Sequence, residues 1–228
     1  MRTGGRPPRI TIGQIERAGR EMGLDGLTVQ GVAQALGVTP AALYRHVDGR
    51  IGLETLVGES LLAELHIPDD PADDAAGHLL RFAAALREFV LAHPGTATYL
   101  QTLFPRGESG AALLAAEIDA LGRRGYPPHL GSVLASSVAG LAIGRAAVEE
   151  LHTTRLRDSP GLARLAERSR TLHDGLTAAP PGLPEITMED YFHMIMTACI
   201  RGLLAEIRPD RPVAETMAAL GFDPHRAR

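Results

Sequence analysis

The chain has no lysine: all 23 basic residues among its 228 are arginine. In a sequence also rich in Ala, Gly and Pro, this reads as the codon bias of a GC-rich genome rather than selection for guanidinium chemistry. A single cysteine, Cys199, cannot staple the fold intramolecularly, so a cytoplasmic protein is expected. It lies in the apolar stretch "MIMTACIRG", which favours a buried structural thiol over a nucleophile. No apolar run approaches the roughly 18 residues of a membrane span, and no signal-peptide pattern is present. No membrane partner is therefore expected. The nine histidines include no H-E-x-x-H, and G-x-S-x-G, a Walker loop and a dinucleotide fingerprint are also missing. These absences argue against an enzyme, so no catalytic residue, cofactor or metal is expected.

What is present is an all-helical pattern with a basic front end. Residues 1–50 hold seven arginines against four acids, a balance of +3, which leaves −7 for the rest of a chain whose net charge is −4. A basic head on an acidic body suits a front end that meets a polyanion. The arm 1–9, "MRTGGRPPR", has nothing to bury and is expected to be disordered without a partner. Thr11 and Gln14 then form a capping box, with Ile15, Ala18 and Met22 at helical spacing and Gly23 as the stop. Thr28 caps a second helix ended by Gly37, and Thr39-Pro40 opens a third running to about Val47. The expected buried set of this helix-turn-helix unit is Val32, Ala33, Leu36, Val38, Leu43 and Val47. Asp48 is read as the cap of a longer helix that places Leu53, Leu56, Val57 and Leu61 on one side.

The remainder reads as helices over 72–92, 96–104, 108–124, 128–152, 161–174 and 187–207. They are separated by breaks such as His93-Pro94-Gly95, with "APPGLPE" (179–185) as a loop. No alternating strand pattern or internal repeat is found. The expected fold class is all-α: an N-terminal three-helix helix-turn-helix domain over 10–49 and a larger helical domain over 50–228.

The stretch "LTVQGVAQALGVTPAALYRHVDGRIGLETLV" resembles the DNA-binding region of the tetracycline-repressor (TetR) family of bacterial regulators. The resemblance rests on Thr28, Gly37-Val38-Thr39, Leu43-Tyr44-Arg45-His46 and Arg50, and covers about fifty residues. "SVAGLAIGRAAVEELH" and "IRGLLAEI" extend it weakly into the body. It implies a helical body that binds a small-molecule effector and dimerises, with effector binding releasing double-stranded DNA. It assigns Tyr44 and His46 to the DNA backbone. Thr28, at a helix N-terminus, and Arg50 suit phosphates as well. Base reading falls to Gln30, Thr39, Ala41 and Arg45, beside the helix-opening Pro40. Arg2, Arg6 and Arg9 would add minor-groove or nonspecific contacts. Tyr44 as half-buried packing and His46 as a merely solvated residue are the competing readings.

One head covers too little DNA, so a homodimer on two half-sites is expected. Ser132, Ser136, Gly140 and Gly144 recur every four residues along 128–152, as do Ala198 and Gly202 along 187–207. Each glycine inside a helix costs roughly 1 kcal/mol against alanine, and close helix packing would offset it. That packing is either across a two-fold axis or within one subunit. For the effector, the candidates are Phe82, Leu86, Phe89, Tyr99, Leu103 and Phe104 as apolar lining. Ser137, Leu141, Glu149 and His66 would be its walls or polar ends. No histidine occurs in 96–104, so metal-assisted tetracycline binding is not expected, and a mostly apolar effector is. A repressor is the leading function; an activator of the same fold and a protein-binding adaptor that does not read DNA are the alternatives.

Overall fold

The computed structural model describes residues 10–103, 107–162, 164–165, 167–168, 186–219 and 221, which contain no strand. The arm 1–9, Phe104 and the 179–185 loop lie outside the described residues. Among the described residues the helices are α1 (Ile12–Gly26), α2 (Val29–Ala35), α3 (Pro40–Leu43), α4 (Gly49–Leu62), α5 (Ala75–Ala92), α6 (Thr96–Leu103), α7 (Glu108–Arg123), α8 (Pro128–Asp158), α9 (Met188–Glu206) and α10 (Val213–Ala219). Packing divides the chain into two compact units, Met1–His66 with His93–Leu113, and Ile67–Ala92 with Leu114–Arg228.

The first unit is built from local signals that behave as read. Thr11 Oγ1 accepts the Gln14 N–H at 3.3 Å, while Gln14 Oε1 accepts the Thr11 N–H at 3.0 Å. Thr28 Oγ1 likewise accepts the Gly31 N–H at 3.0 Å. Gly37, at φ 66°, ends α2. Ile15, Leu27, Val32, Leu43, Leu53 and Val57 are fully buried and make the core, and Ala33 lets α2 approach its neighbours. Leu36, Val38 and Leu56 are half-buried rather than buried.

Gly23, at φ 75° and ψ 153°, breaks the first helix as expected, and one further turn carries α1 to Gly26. Two expectations need correction here. The third helix stops at Leu43, not Val47. Beyond it the His46 and Val47 amides share the Leu43 carbonyl, at 2.8 and 3.0 Å, which tightens the last turn. Gly49, at φ 64°, then turns the chain into α4. Asp48 precedes α4 but makes no side-chain cap bond. Its ψ of 80° departs from the extended backbone of Thr11 (157°) and Thr28 (149°), which do cap.

In the same unit, α6 lies hard against α4 and the end of α1. A Cβ on Gly58 would stand 2.5 Å from the Tyr99 ring, and one on Gly95 2.5 Å from the Asp25 nitrogen. Gly95 also sits at φ 86°. Only glycine fits either place without movement. Glu59 ties this packing together: its carboxylate accepts the Tyr99 hydroxyl at 3.0 Å and the Ser109 N–H at 2.7 Å.

The second unit packs α5, α8 and α9 on one another. Its core rows are spaced by three or four residues: Leu79, Phe82, Leu86 and Val90 on α5, Leu130, Leu134, Val138 and Ala142 on α8, and Phe192, Met196 and Ile200 on α9. Cys199 falls beside this last row and is half-buried, not buried. The segment Pro128–Thr153 of α8 is long and apolar enough by composition to cross a membrane, against the expectation that no such run exists, and 44% of that window is buried within the chain. It reads as a helix of the unit's core whose Leu, Ile, Val and Ala residues raise its mean hydropathy. α10 was not foreseen.

A buried polar cluster fixes the start of this unit. His78 is fully buried, with Nε2 2.9 Å from Glu117 Oε2 and Nδ1 3.4 Å from Asp69 Oδ1. Glu117 is itself buried. Arg123 and Arg124 reach Asp69 at 2.6 and 2.7 Å, and Arg124 also donates to the carbonyls of Asp70, Asp73 and Ala120. Burial alone would push the Asp69 carboxyl up, but the hydrogen bonds from Arg123 and Arg124 outweigh it and hold the group below its ordinary range. A depressed carboxyl contributes stability that is present above its unfolded value, roughly pH 4, and lost as the pH falls through the folded one. Urea denaturation at about pH 5 and about pH 3 is expected to show a larger acid loss for the natural chain than for Asp69→Asn.

Candidate nucleic-acid interface and effector region

All nine residues read as DNA contacts are solvent-exposed: Thr28 and Gln30 at the start of α2, Thr39, Pro40 and Ala41 at the start of α3, Tyr44, Arg45 and His46 in the turns after it, and Arg50 in the first turn of α4. Tyr44 is 57% exposed, which removes the packing reading for its ring. Thr39 opens α3 without a side-chain cap bond, leaving its hydroxyl available. Beneath these residues, Val32, Ala33, Leu43 and Val47 are buried and brace the motif. Sequence reasoning missed Glu54, whose Oε1 accepts Arg50 Nε at 2.6 Å. The i,i+4 spacing of the two was the available signal. This bond holds the Arg50 stem while the guanidinium stays exposed.

The effector candidates fall into both units. In the first, His66 is exposed, and Tyr99 is buried with its hydroxyl on Glu59. Burial and then that bond push the Tyr99 phenol well above its usual range. Leu103 closes α6, but its side chain and all of Phe104 lie outside the described residues. In the second unit, Phe82, Leu86 and Phe89 are buried, Ser137 is half-buried and Leu141 is exposed. Glu149 receives a two-pronged bond from Arg87, with Nε at 2.8 Å and Nη2 at 2.7 Å. The bond raises the Arg87 pKa against the opposing effect of burial. Arg87 also lies over the Phe192 ring, 5.3 Å from its centroid. Of the effector candidates, Tyr99 alone lines the described cavity, which lies in the first unit and has a volume of about 350 Å³.

No family model matches the chain. Over 75 residues it is 37% identical to the class A tetracycline repressor of transposon 1721 from Escherichia coli, a match spanning 32% of this chain and 35% of that protein. It is similar across most of its length to solved structures. The Streptomyces coelicolor TetR family protein ActR in complex with actinorhodin matches with a TM-score of 0.70 at 22% identity, over 88% of this chain and 99% of that one. A possible TetR family transcriptional regulator from the same organism matches with 0.67 at 24% identity, over 86% and 99%. A TetR variant from Acinetobacter baumannii in complex with minocycline gives 0.63 at 19% identity, over 87% and 99%. The chain has the TetR-family fold. None of these relatives is described as an enzyme.

In this chain the small-residue ridges carry exposed positions. Ser136, Gly140, Ala198 and Gly202 are exposed, and Ser132 and Gly144 are half-buried. No atom stands within 4 Å of a Cβ placed at Gly140, Gly144 or Gly202. Val133, Leu141, Val148 and Leu151 on α8, with Met188, Tyr191 and Met194 on α9, add large exposed apolar groups. Among the described residues, nothing from the same chain covers Ser136, Gly140, Ala198 or Gly202.

Proposed function

We propose that this chain is a cytoplasmic, ligand-responsive transcriptional regulator that acts as a repressor. It binds a palindromic operator as a homodimer and is released by a small, mostly apolar effector. The observation that carries the reading is the exposure of all nine DNA-facing residues over a buried brace. The apolar, small-residue surface of α8 and α9 supports a two-fold four-helix interface, because an exposed apolar patch of this kind marks an association site. The relatives support the regulator class, one being named a repressor and two others being in complex with actinorhodin and minocycline. The effector region is drawn from Phe82, Leu86, Phe89, Tyr99, Leu103 and Phe104. Glu149 is the least available of its proposed walls, since Arg87 already occupies both oxygens.

The test is selection of bound fragments from the source genome with the purified protein, followed by titration of the best fragment at several salt concentrations. A palindrome and a steep salt dependence are expected. Tyr44→Ala is expected to weaken binding about tenfold on every fragment, as loss of a backbone contact should. Arg45→Ala is expected to relax base preference at one position, a discrimination of about 1–3 kcal/mol. Uniform, weak affinity with no enriched fragment would remove the DNA-reading function and leave the adaptor.

A further inference from the structure

The 350 Å³ cavity lies wholly within the first unit, between the end of α1, the first turns of α4 and α6. That size is within the range of small-molecule sites. Its walls are set by contacts that leave no slack. Gly95 meets the backbone of Leu24 and Asp25, and Gly58 meets the Tyr99 ring, at distances where an added Cβ would collide. The floor is therefore preformed, and Asp25, Arg50, Ile51, Thr98 and Thr102 form an exposed rim around an open cleft. Leu24 and Tyr99 supply buried apolar lining, and Ile51, 67% exposed, supplies an apolar edge. Thr98 and Thr102 bring hydroxyls from successive turns of α6.

The charges select the ligand. Asp25 and Glu54 contribute two negative groups and Arg50 one positive, so the lining carries one net negative charge. Arg50 is already bonded to Glu54. Asp25 has no ion pair among the described residues. An anion would meet both carboxylates, and a neutral apolar molecule would strip water from Asp25 without replacing its partners. A cation with a compact apolar body satisfies the carboxylate and covers Leu24, Ile51 and Tyr99 together.

We propose that this cavity is a second small-molecule site, for an organic ammonium ion bearing a compact apolar group, and that its occupation draws Glu54 away from Arg50 and tightens DNA binding. The ammonium takes over the Glu54 oxygen that Arg50 Nε now holds, which leaves the whole guanidinium free for a phosphate and neutralises the local negative charge. Its effect is opposite in sign to that of the apolar effector. The ammonium site stands on the cavity alone, whereas the coupling to DNA rests on the proposed regulatory function.

The experiment titrates the full-length protein, without DNA, with phenethylammonium, and with phenethyl alcohol as the neutral match, using calorimetry and amide NMR shifts. Saturable binding of the amine is expected, about tenfold or more tighter than the alcohol, which corresponds to about 1.4 kcal/mol. Glu54→Gln and Asp25→Asn, both at polar positions, are expected to weaken it about tenfold each, in keeping with loss of a charged hydrogen bond. Thr102→Trp is expected to abolish it by filling the space. Equal binding of amine and alcohol, or amine binding untouched by these substitutions, would overturn the site. With the site established, the selected operator is titrated with and without the amine. Tighter DNA binding is expected, with the operator tightening the amine by the same factor. An unchanged operator affinity would overturn the Arg50 coupling, and a chain that binds no fragment would instead fail the regulatory reading while leaving the amine titration to be read by itself.

Discussion

Gly140→Trp is expected to convert the proposed dimer to monomers and to lower operator affinity by about a hundredfold or more. Gly140 is exposed, and outside its own helical turn no described atom lies within 4 Å of a Cβ there, so a larger side chain starts into open space. It would stand on the exposed ridge between Ser136 and Gly144, where two helices can approach closely only if the residues between them are small. Two heads on one dimer gain affinity because the second binds at the effective concentration set by the first, which is worth on the order of 10²–10⁴-fold. Sedimentation analysis reads the mass and a DNA titration reads the loss. Gly140→Ala, which keeps the ridge low, is expected to remain dimeric. A tryptophan variant that stays dimeric would place the two-fold interface elsewhere.

Glu117→Ala is expected to destabilise the second unit. It leaves His78, fully buried, with no partner at Nε2. A buried hydrogen-bonding group left unsatisfied costs about 1–3 kcal/mol. For a chain of this size, that corresponds to a melting-temperature drop of about 2–12 °C. Glu117→Gln retains an oxygen for the ring N–H and is expected to lose less than half as much. Chemical denaturation of the three proteins checks the order. A cost below about 1 kcal/mol for the alanine variant would mean that water or a neighbouring group replaces the carboxylate.

The parts of this fold that were legible in advance are those whose causes lie within a few residues. Thr11 with Gln14, Thr28 with Gly31, and Gly37 with its positive φ each act within one turn of chain, and the structure keeps all three. The exposure of the residues proposed to contact DNA was legible for the same reason, because a motif of about fifty residues carries its own caps, turn and buried brace. The end of α3 was not legible. Tyr44-Arg45-His46-Val47 contains no glycine or proline to mark a stop, and the helix ends where the chain tightens ahead of the turn that Gly49 makes into α4. The effector region was only partly legible because its environment comes from distant partners. Glu59 meets Tyr99 forty residues on and Ser109 fifty residues on, and Glu149 is claimed by Arg87 across 62 residues. Spacing along a helix shows which residues share a face, not what covers that face. For Ser136, Gly140, Ala198 and Gly202 the structure adds what periodicity could not, namely that their own chain leaves them uncovered among the described residues.

The first unit is not one continuous stretch of chain: residues 1–66 are completed by 93–113. This discontinuity dictates an order of events during synthesis. The reading helices are made first, yet Gly58 waits for Tyr99, and the Leu24–Asp25 backbone waits for Gly95. The unit therefore reaches its final packing only after the α5 segment has also left the ribosome. The same arrangement governs transplantation. A graft cut at His66 would carry the DNA-facing residues but leave behind the helix against which α4 is set. A chimaera intended to move this specificity to another body must take α6 with it.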